Sequence, residues 1–143
     1  MRRWMIKSLF VTVGVACAFT APNALAQNPD DWKPSNLEVM QLPRFCWAQF
    51  KVPGAEGEEF RIRDCGPLAN HYCFGLTYLL RAKKFTGKGK PIGQLQGAYH
   101  DIRGTEIVIK DYPQCSIREH VTASRAEVEH LLRMYGAKPP EMR

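Results

Sequence analysis

The segment CGPLANHYC, residues 65–73, sets two thiols, an imidazole and a phenol close together in the chain. Cysteine and histidine are ligands for zinc and copper, and paired thiols are also the reactive unit of redox proteins. With Cys46 upstream, a set of Cys46, Cys65, His71 and Cys73 is large enough for either chemistry. The spacing argues against it. His71 and Cys73 are two apart, and a regular helix would turn them about 200° from each other, away from any shared ion. The sequence has no Cys-x-x-Cys and no Cys-x-x-Cys-His, the usual thioredoxin-like and c-type haem signatures. No two of His100, His120 and His130 have the i, i+4 spacing of a helical ligand pair, and no Gly-x-Ser-x-Gly elbow offers a nucleophile. The residues therefore point to a protein that is not an enzyme and imply no cofactor. The competing reading is a small metal-binding or thiol-redox protein using Cys65, His71 and Cys73.

The compartment favours disulfides. The chain opens MRRWMIKSLFVTVGVACAFTAPNALAQ, in which Arg2, Arg3 and Lys7 precede an apolar run ending at Ala24, Leu25 and Ala26. A basic start, an apolar middle and a small-x-small end are the pattern of a cleaved export leader, so residues 1–26 are expected to be a signal peptide. Pro22 and Asn23 interrupt the run short of the ~20 apolar residues of a spanning helix. Gly14, Val15 and Ala16 before Cys17 do not make a lipoprotein signal. The RRWMIK start resembles a twin-arginine leader but lacks its preceding Ser or Thr, which leaves the export route open. The expected location is the periplasm or the outside of the cell. The whole chain has 143 residues and a formal charge of +6, to which the leader's three cations contribute half. Such a mildly basic exported protein gives little reason to expect a nucleic-acid partner. In one small domain, Cys46, Cys65, Cys73 and Cys115 read as two disulfides, with three pairings open.

The elements that would carry these residues are helical. Residues 27–64 form a Gly/Pro-punctuated, irregular N-terminal arm, in which Trp32, Phe45, Trp47 and Phe50 are expected to fill the space against helices. Across 67–84, Leu68, Tyr72, Leu76, Leu79, Leu80 and the stem of Lys83 follow one helical face, with Pro67 in the first turn. A loop, FTGKGK, precedes a second helical pattern in which Ile92, Leu95, Tyr99, Ile102, Ile109 and Tyr112 recur. Gly97 and Gly104 weaken that pattern, but a strand at TEIVI would have nothing to pair with. A third helix carries Ile117, Val121, Val128, Leu131, Leu132 and Tyr135, with Ser116 and Glu119 as a capping box and Gly136 as the C-terminal cap. The fold class is all-α, with residues 65–136 as the helical domain and 137–143 as a flexible tail.

Two segments, LPRFC at 42–46 and HYCFGLTYLLRA at 71–82, resemble a group of secreted bacterial tetratricopeptide-repeat proteins that carry LPxYC before a HYCxGL helix. Gly75 and Tyr78 occupy the small and aromatic positions of the first repeat helix, and TEIVIKDYP resembles the proline-closed end of the second. The likeness spans roughly residues 42–135 and about one and a half repeats, fewer than the ~3 that such arrays usually need. It implies a tetratricopeptide-like hairpin plus a third helix. Because Cys46 and Cys73 lie in the two shared segments, it also implies that they are paired. An antiparallel hairpin would then place Cys65 beside Cys115 at its open end.

A truncated repeat implies a helical face and a bare end that another chain buries. The expectation is a protein-protein interaction module, an adaptor or accessory subunit working with another envelope protein or complex. It could itself form oligomers, and would touch a membrane only peripherally. Candidate contacts are Tyr72, Tyr78, Lys83, Lys84, Lys88 and Lys90. The lysines have a plainer reading, as a solvated loop whose cations complement a helix C-terminus.

Overall fold

The computed structural model describes residues 33–142. The expected leader, Cys17 and Trp32 lie outside these residues. Four helices follow in chain order: α1 (Asn36–Val39), α2 (His71–Lys83), α3 (Ile92–Val108) and α4 (Arg118–Met134). Short 3-10 turns at Arg44–Cys46 and Glu58–Phe60 punctuate the arm, and a third, Ile109–Asp111, extends α3. No strand occurs among the described residues, and the protein is all-α. None of the described helices is long and apolar enough to cross a membrane.

The helices stack in sequence, α2 against α3 and α3 against α4, while α2 and α4 meet at few points. The central α3 turns Leu95, Ala98, Ile102 and Thr105 inward at three- and four-residue spacing, all essentially without solvent contact. Gly97 and Gly104 do not interrupt it, and the TEIVI stretch is helical apart from its last residue. Gly75 sets how closely α2 approaches α3. A Cβ there would fall 2.8 Å from Ile102 Cγ1 and 3.2 Å from the Ala98 carbonyl, so the two backbones meet where glycine removes the side chain. From α4, Val121, Val128 and Leu132 complete the core. Gly136 closes that helix as expected, with its own N–H on the Arg133 carbonyl and that of Ala137 on Leu132.

The arm is tied to the helices by rings and sulfur. Phe45 stacks on Tyr72 and reaches His120, Phe50 meets Phe74 edge-on, and Trp47 stacks on Phe60 while its indole N–H donates to the Leu42 carbonyl. One disulfide joins Cys46 to Cys73, arm to α2. The other joins Cys65 to Cys115 across the open end of the α2–α3 hairpin. Two such bridges fit an oxidising environment outside the cytoplasm.

Two helix starts differ from the sequence reading. α2 begins at His71, not in the turn containing Pro67, because Cys65 is tethered to Cys115 and the chain must turn sharply before it can enter the helix. Gly66 and Leu68 take φ values of 71° and 66°, and Leu68 is 60% exposed instead of lying on the buried stripe. Likewise α4 lacks the expected capping box. Ser116 Oγ accepts from the Arg63 backbone N–H at 3.0 Å, while the Ser116 N–H donates to the Arg63 carbonyl at 3.1 Å. A hydroxyl engaged across the chain in this way leaves α4 to begin at Arg118.

Candidate interaction surface and the stapled cleft

The Cys65–Cys115 bridge brings two loops together, residues 62–70 and residues 111–114. Between them lies an open cleft of about 840 Å³. Its lining includes apolar Ile62, Leu68 and Pro113, the ring of Tyr112, and the polar side chains of Asp64, Asn70, Asp111 and Gln114. Several constraints hold its walls. The bridge is covalent, and the paired Arg63–Ser116 bonds clasp the two loops beside it. Arg118 donates to the carbonyls of Ile109 and Tyr112, placing a cation at the C-terminal end of α3. Gly66 lies against the Tyr112 ring so closely that a Cβ would fall 2.2 Å from Cε2.

The surface continues from the cleft along the outer side of the hairpin. Leu68 also lines a smaller hollow of about 210 Å³ with His71, His100, Asp101, Gly104, Thr105 and Val108. His71 and Asp101 then border another, of about 260 Å³, completed by Phe74 and Tyr78. Shared lining residues link the three hollows into a band from Tyr112 to Tyr78, polar in the cleft and around His71, His100 and Asp101 and apolar elsewhere. Asp101, mostly buried, has Oδ1 at 3.7 Å from His71 Nδ1 and 3.6 Å from His100 Nδ1. These are ion-pair distances available when the imidazoles are protonated, too long for good hydrogen bonds.

Among the expected contact residues, Tyr72 and Tyr78 separate. Tyr72 is 1% exposed, its hydroxyl 2.8 Å from Ser124 Oγ, and burial pushes its phenol up to about 12. It is a core residue between α2 and α4 and is not available to a partner as expected. The cause is helical phase: Tyr72 shares the inward face with Leu76 and Leu79. Tyr78 is half-buried, its ring 3.4 Å from the position of a Cβ on Gly97, and it borders the outer band.

The lysine loop is mostly engaged with the protein's own groups. Lys83 pairs with Glu127 at 2.6 Å, Lys84 donates to Gln41, and Lys90 donates to the Tyr135 carbonyl at 2.7 Å, where α4 ends. Lys88 has no such bond among the described residues. The plainer reading of the loop, cations complementing a helix C-terminus, describes Lys90 directly.

The four sulfurs that could have served metal or redox chemistry are all in disulfides. Among the described residues, no three His, Cys, Asp or Glu side chains gather in a way that could hold a metal ion. The Cys65, His71 and Cys73 ligand set of the competing reading is not assembled, since His71 faces Asp101 and Cys73 is buried against Cys46.

Sequence reasoning missed Asp64, Leu68, Asp101, Asp111 and Tyr112 as surface-forming residues. Leu68 and Tyr112 had been placed on buried helical stripes by their period. Asp64 and Asp111 are far apart in sequence and line one cleft because the bridge joins their loops. No family model, curated protein or solved structure matches the chain.

Proposed function

We propose that this protein is an exported helical protein-protein interaction module, an adaptor or accessory subunit of a cell-envelope complex, acting in the periplasm or outside the cell. The carrying observation is the continuous band over the outer side of α2 and α3, bordered by Leu68, Phe74, Tyr78 and Val108. Apolar area beside a few placed polar groups is what protein interfaces use, with aromatic side chains supplying most of the contact energy. Supporting it, the resemblance to secreted tetratricopeptide-repeat proteins implies a hairpin that works by surface presentation. The disulfides fit the location, and the expected leader at residues 1–26 would deliver the chain there. The proposed contacts are Tyr78, Leu68 and Phe74 on this band. The lysines are secondary, because three of the four are engaged internally.

Site-specific photocrosslinking in cells exporting the full chain tests this. A photoreactive residue at Leu68 should give a discrete crosslinked species that Val108→Glu abolishes, and one at Tyr78 a species that Leu68→Glu or Val108→Glu abolishes, while the same probe at Lys88 should give none. Equal crosslinking at all positions, or none on the band, would remove the proposal.

A further inference from the structure

We propose that the cleft beside the Cys65–Cys115 bridge is a binding site for an arginine side chain presented by a partner's polypeptide. This rests on the interaction reading above and names the chemistry of the partner segment.

The cleft is large enough to hold a side chain with its flanking residues, within the ~300–1,000 Å³ range of small-ligand pockets. Two carboxylates, Asp64 and Asp111, line it from opposite loops. Neither makes an ion pair or side-chain hydrogen bond among the described residues, whereas Glu38, Glu58, Glu106, Glu127 and Glu129 are each paired with a cation. Arg63 and Lys110, their neighbours in sequence, are not part of the lining. The two carboxylates therefore border the cleft without an ion pair of their own, while Arg118 beside them is engaged on the carbonyls of Ile109 and Tyr112.

The accompanying groups select among cations. A guanidinium has five N–H donors and no acceptor, spread in a plane. Asp64, Asp111 and the amide oxygens of Asn70 and Gln114 are acceptors carried on both sides of the cleft, and the Tyr112 ring is a face on which a planar cation can lie. An ammonium has fewer donors and no plane to stack. Ile62, Leu68 and Pro113 supply apolar wall for the residues on either side of the arginine. The ring and one loop are fixed before any ligand arrives, since Gly66 is seated on Tyr112 and the loops are joined by the bridge and the Arg63–Ser116 clasp. Walls set in advance reduce the ordering cost of binding.

The test uses the oxidised exported protein, isotopically labelled, titrated with N-acetyl-leucyl-arginyl-leucine amide and with its citrulline counterpart, which keeps the shape and loses the charge. Saturable amide shifts confined to Asp64, Gly66, Asn70, Asp111 and Tyr112 are expected with the arginine peptide. Binding should weaken with added salt and be about fivefold to tenfold weaker for citrulline and for a D64N/D111N variant. An unchanged spectrum elsewhere shows that the variant is folded. No saturable shift, equal binding of citrulline, or shifts at the lysine loop instead would overturn the site. The photocrosslinking result from Tyr78, which does not line the cleft, is independent: a Tyr78 crosslink that survives in D64N/D111N alongside a failed peptide titration removes the arginine site and leaves the interaction reading standing.

Discussion

The α2–α3 hairpin has two ends, and they treat charge in opposite ways. At the loop end, residues 81–90 gather cations, and the fold engages most of them: Arg81 and Lys83 pair with the carboxylates of Glu38 and Glu127, while Lys84 and Lys90 donate to the neutral oxygens of Gln41 and the Tyr135 carbonyl. At the stapled end the loops are fewer in charge but held more tightly, and the carboxylates of Asp64 and Asp111 stay unpaired beside an open cleft. A conspicuous run of lysines is thus a structural device, while an inconspicuous pair of aspartates is available for binding. Charge density in a sequence does not measure charge available at a surface, because pairing depends on what the fold brings alongside.

The largest test of this contrast removes the staple. A C65A/C115A variant gives back the freedom of a loop closed over 50 residues, worth up to ~4 kcal/mol in the chain-entropy model. The expected result is a large drop in urea midpoint with loss of arginine-peptide binding. C46A/C73A, closing 27 residues, should cost up to ~3.5 kcal/mol and leave the cleft residues' amide shifts in place when the protein is kept folded in mild conditions. Equal disturbance of the cleft by both would mean that it is not built by its own bridge.

Next in size is Gly66→Ala. Its φ of 71° and the Tyr112 ring both oppose a Cβ, so a loss of ~2–3 kcal/mol is expected, with the ring displaced from the cleft wall. Thermal unfolding and the near-ultraviolet signal of tyrosine would read the two effects together. A loss below ~1 kcal/mol would mean that the stapled loops can rearrange and that the cleft is not preorganised.

How much of this was legible follows from one sequence pattern found at two candidate helix starts. Ser-x-x-Glu stands at Ser35–Glu38 and at Ser116–Glu119. The first forms a capping box in α1, Ser35 N–H donating to Glu38 at 2.7 Å and Glu38 N–H to Ser35 Oγ at 3.3 Å, in a stretch read from sequence as irregular arm. The second, read as a box, does not form, because the bridge delivers Arg63 to Ser116 first. Local pattern was therefore a sound guide to α3, to Gly136 and to the inward faces, where period and burial agree. It failed at the stapled end, where a covalent link between distant residues overrides local preference. The cleft is made almost entirely there, and so the helical class could be read from sequence while the arrangement of Asp64, Asp111 and Tyr112 could not.

A smaller effect separates the ends by pH. The hydrogen bond from Arg81 lowers the Glu38 carboxyl from 4.5 to about 2, with the Ser35 bonds adding to it and partial burial opposing. Because the folded value is the depressed one, the stabilisation is present above the unfolded value and is lost as pH falls from about 4.5 through about 2. Since Glu38 is partly solvated, about 1 kcal/mol is expected. Urea unfolding at descending pH should show that loss in the native protein and a flatter profile in Glu38→Gln. An identical profile in the two would place the acid sensitivity elsewhere.

The smallest effects distinguish a working lysine from a spare one within the same loop. Lys90→Ala removes a cation from the end of α4 and should lower stability by ~0.5–1 kcal/mol. Lys88→Ala removes a side chain without a bond among the described residues and should stay within ~0.5 kcal/mol of the native protein. Thermal unfolding at low and high salt would separate them, since the Lys90 effect should shrink as salt screens the helix end. If Lys88→Ala instead leaves stability unchanged but weakens the band crosslink, the loop end also meets the partner, and the division of labour between the two ends fails. If neither lysine alters the crosslink, the cations of this hairpin act on its own helices, and recognition belongs to the outer band and the stapled cleft.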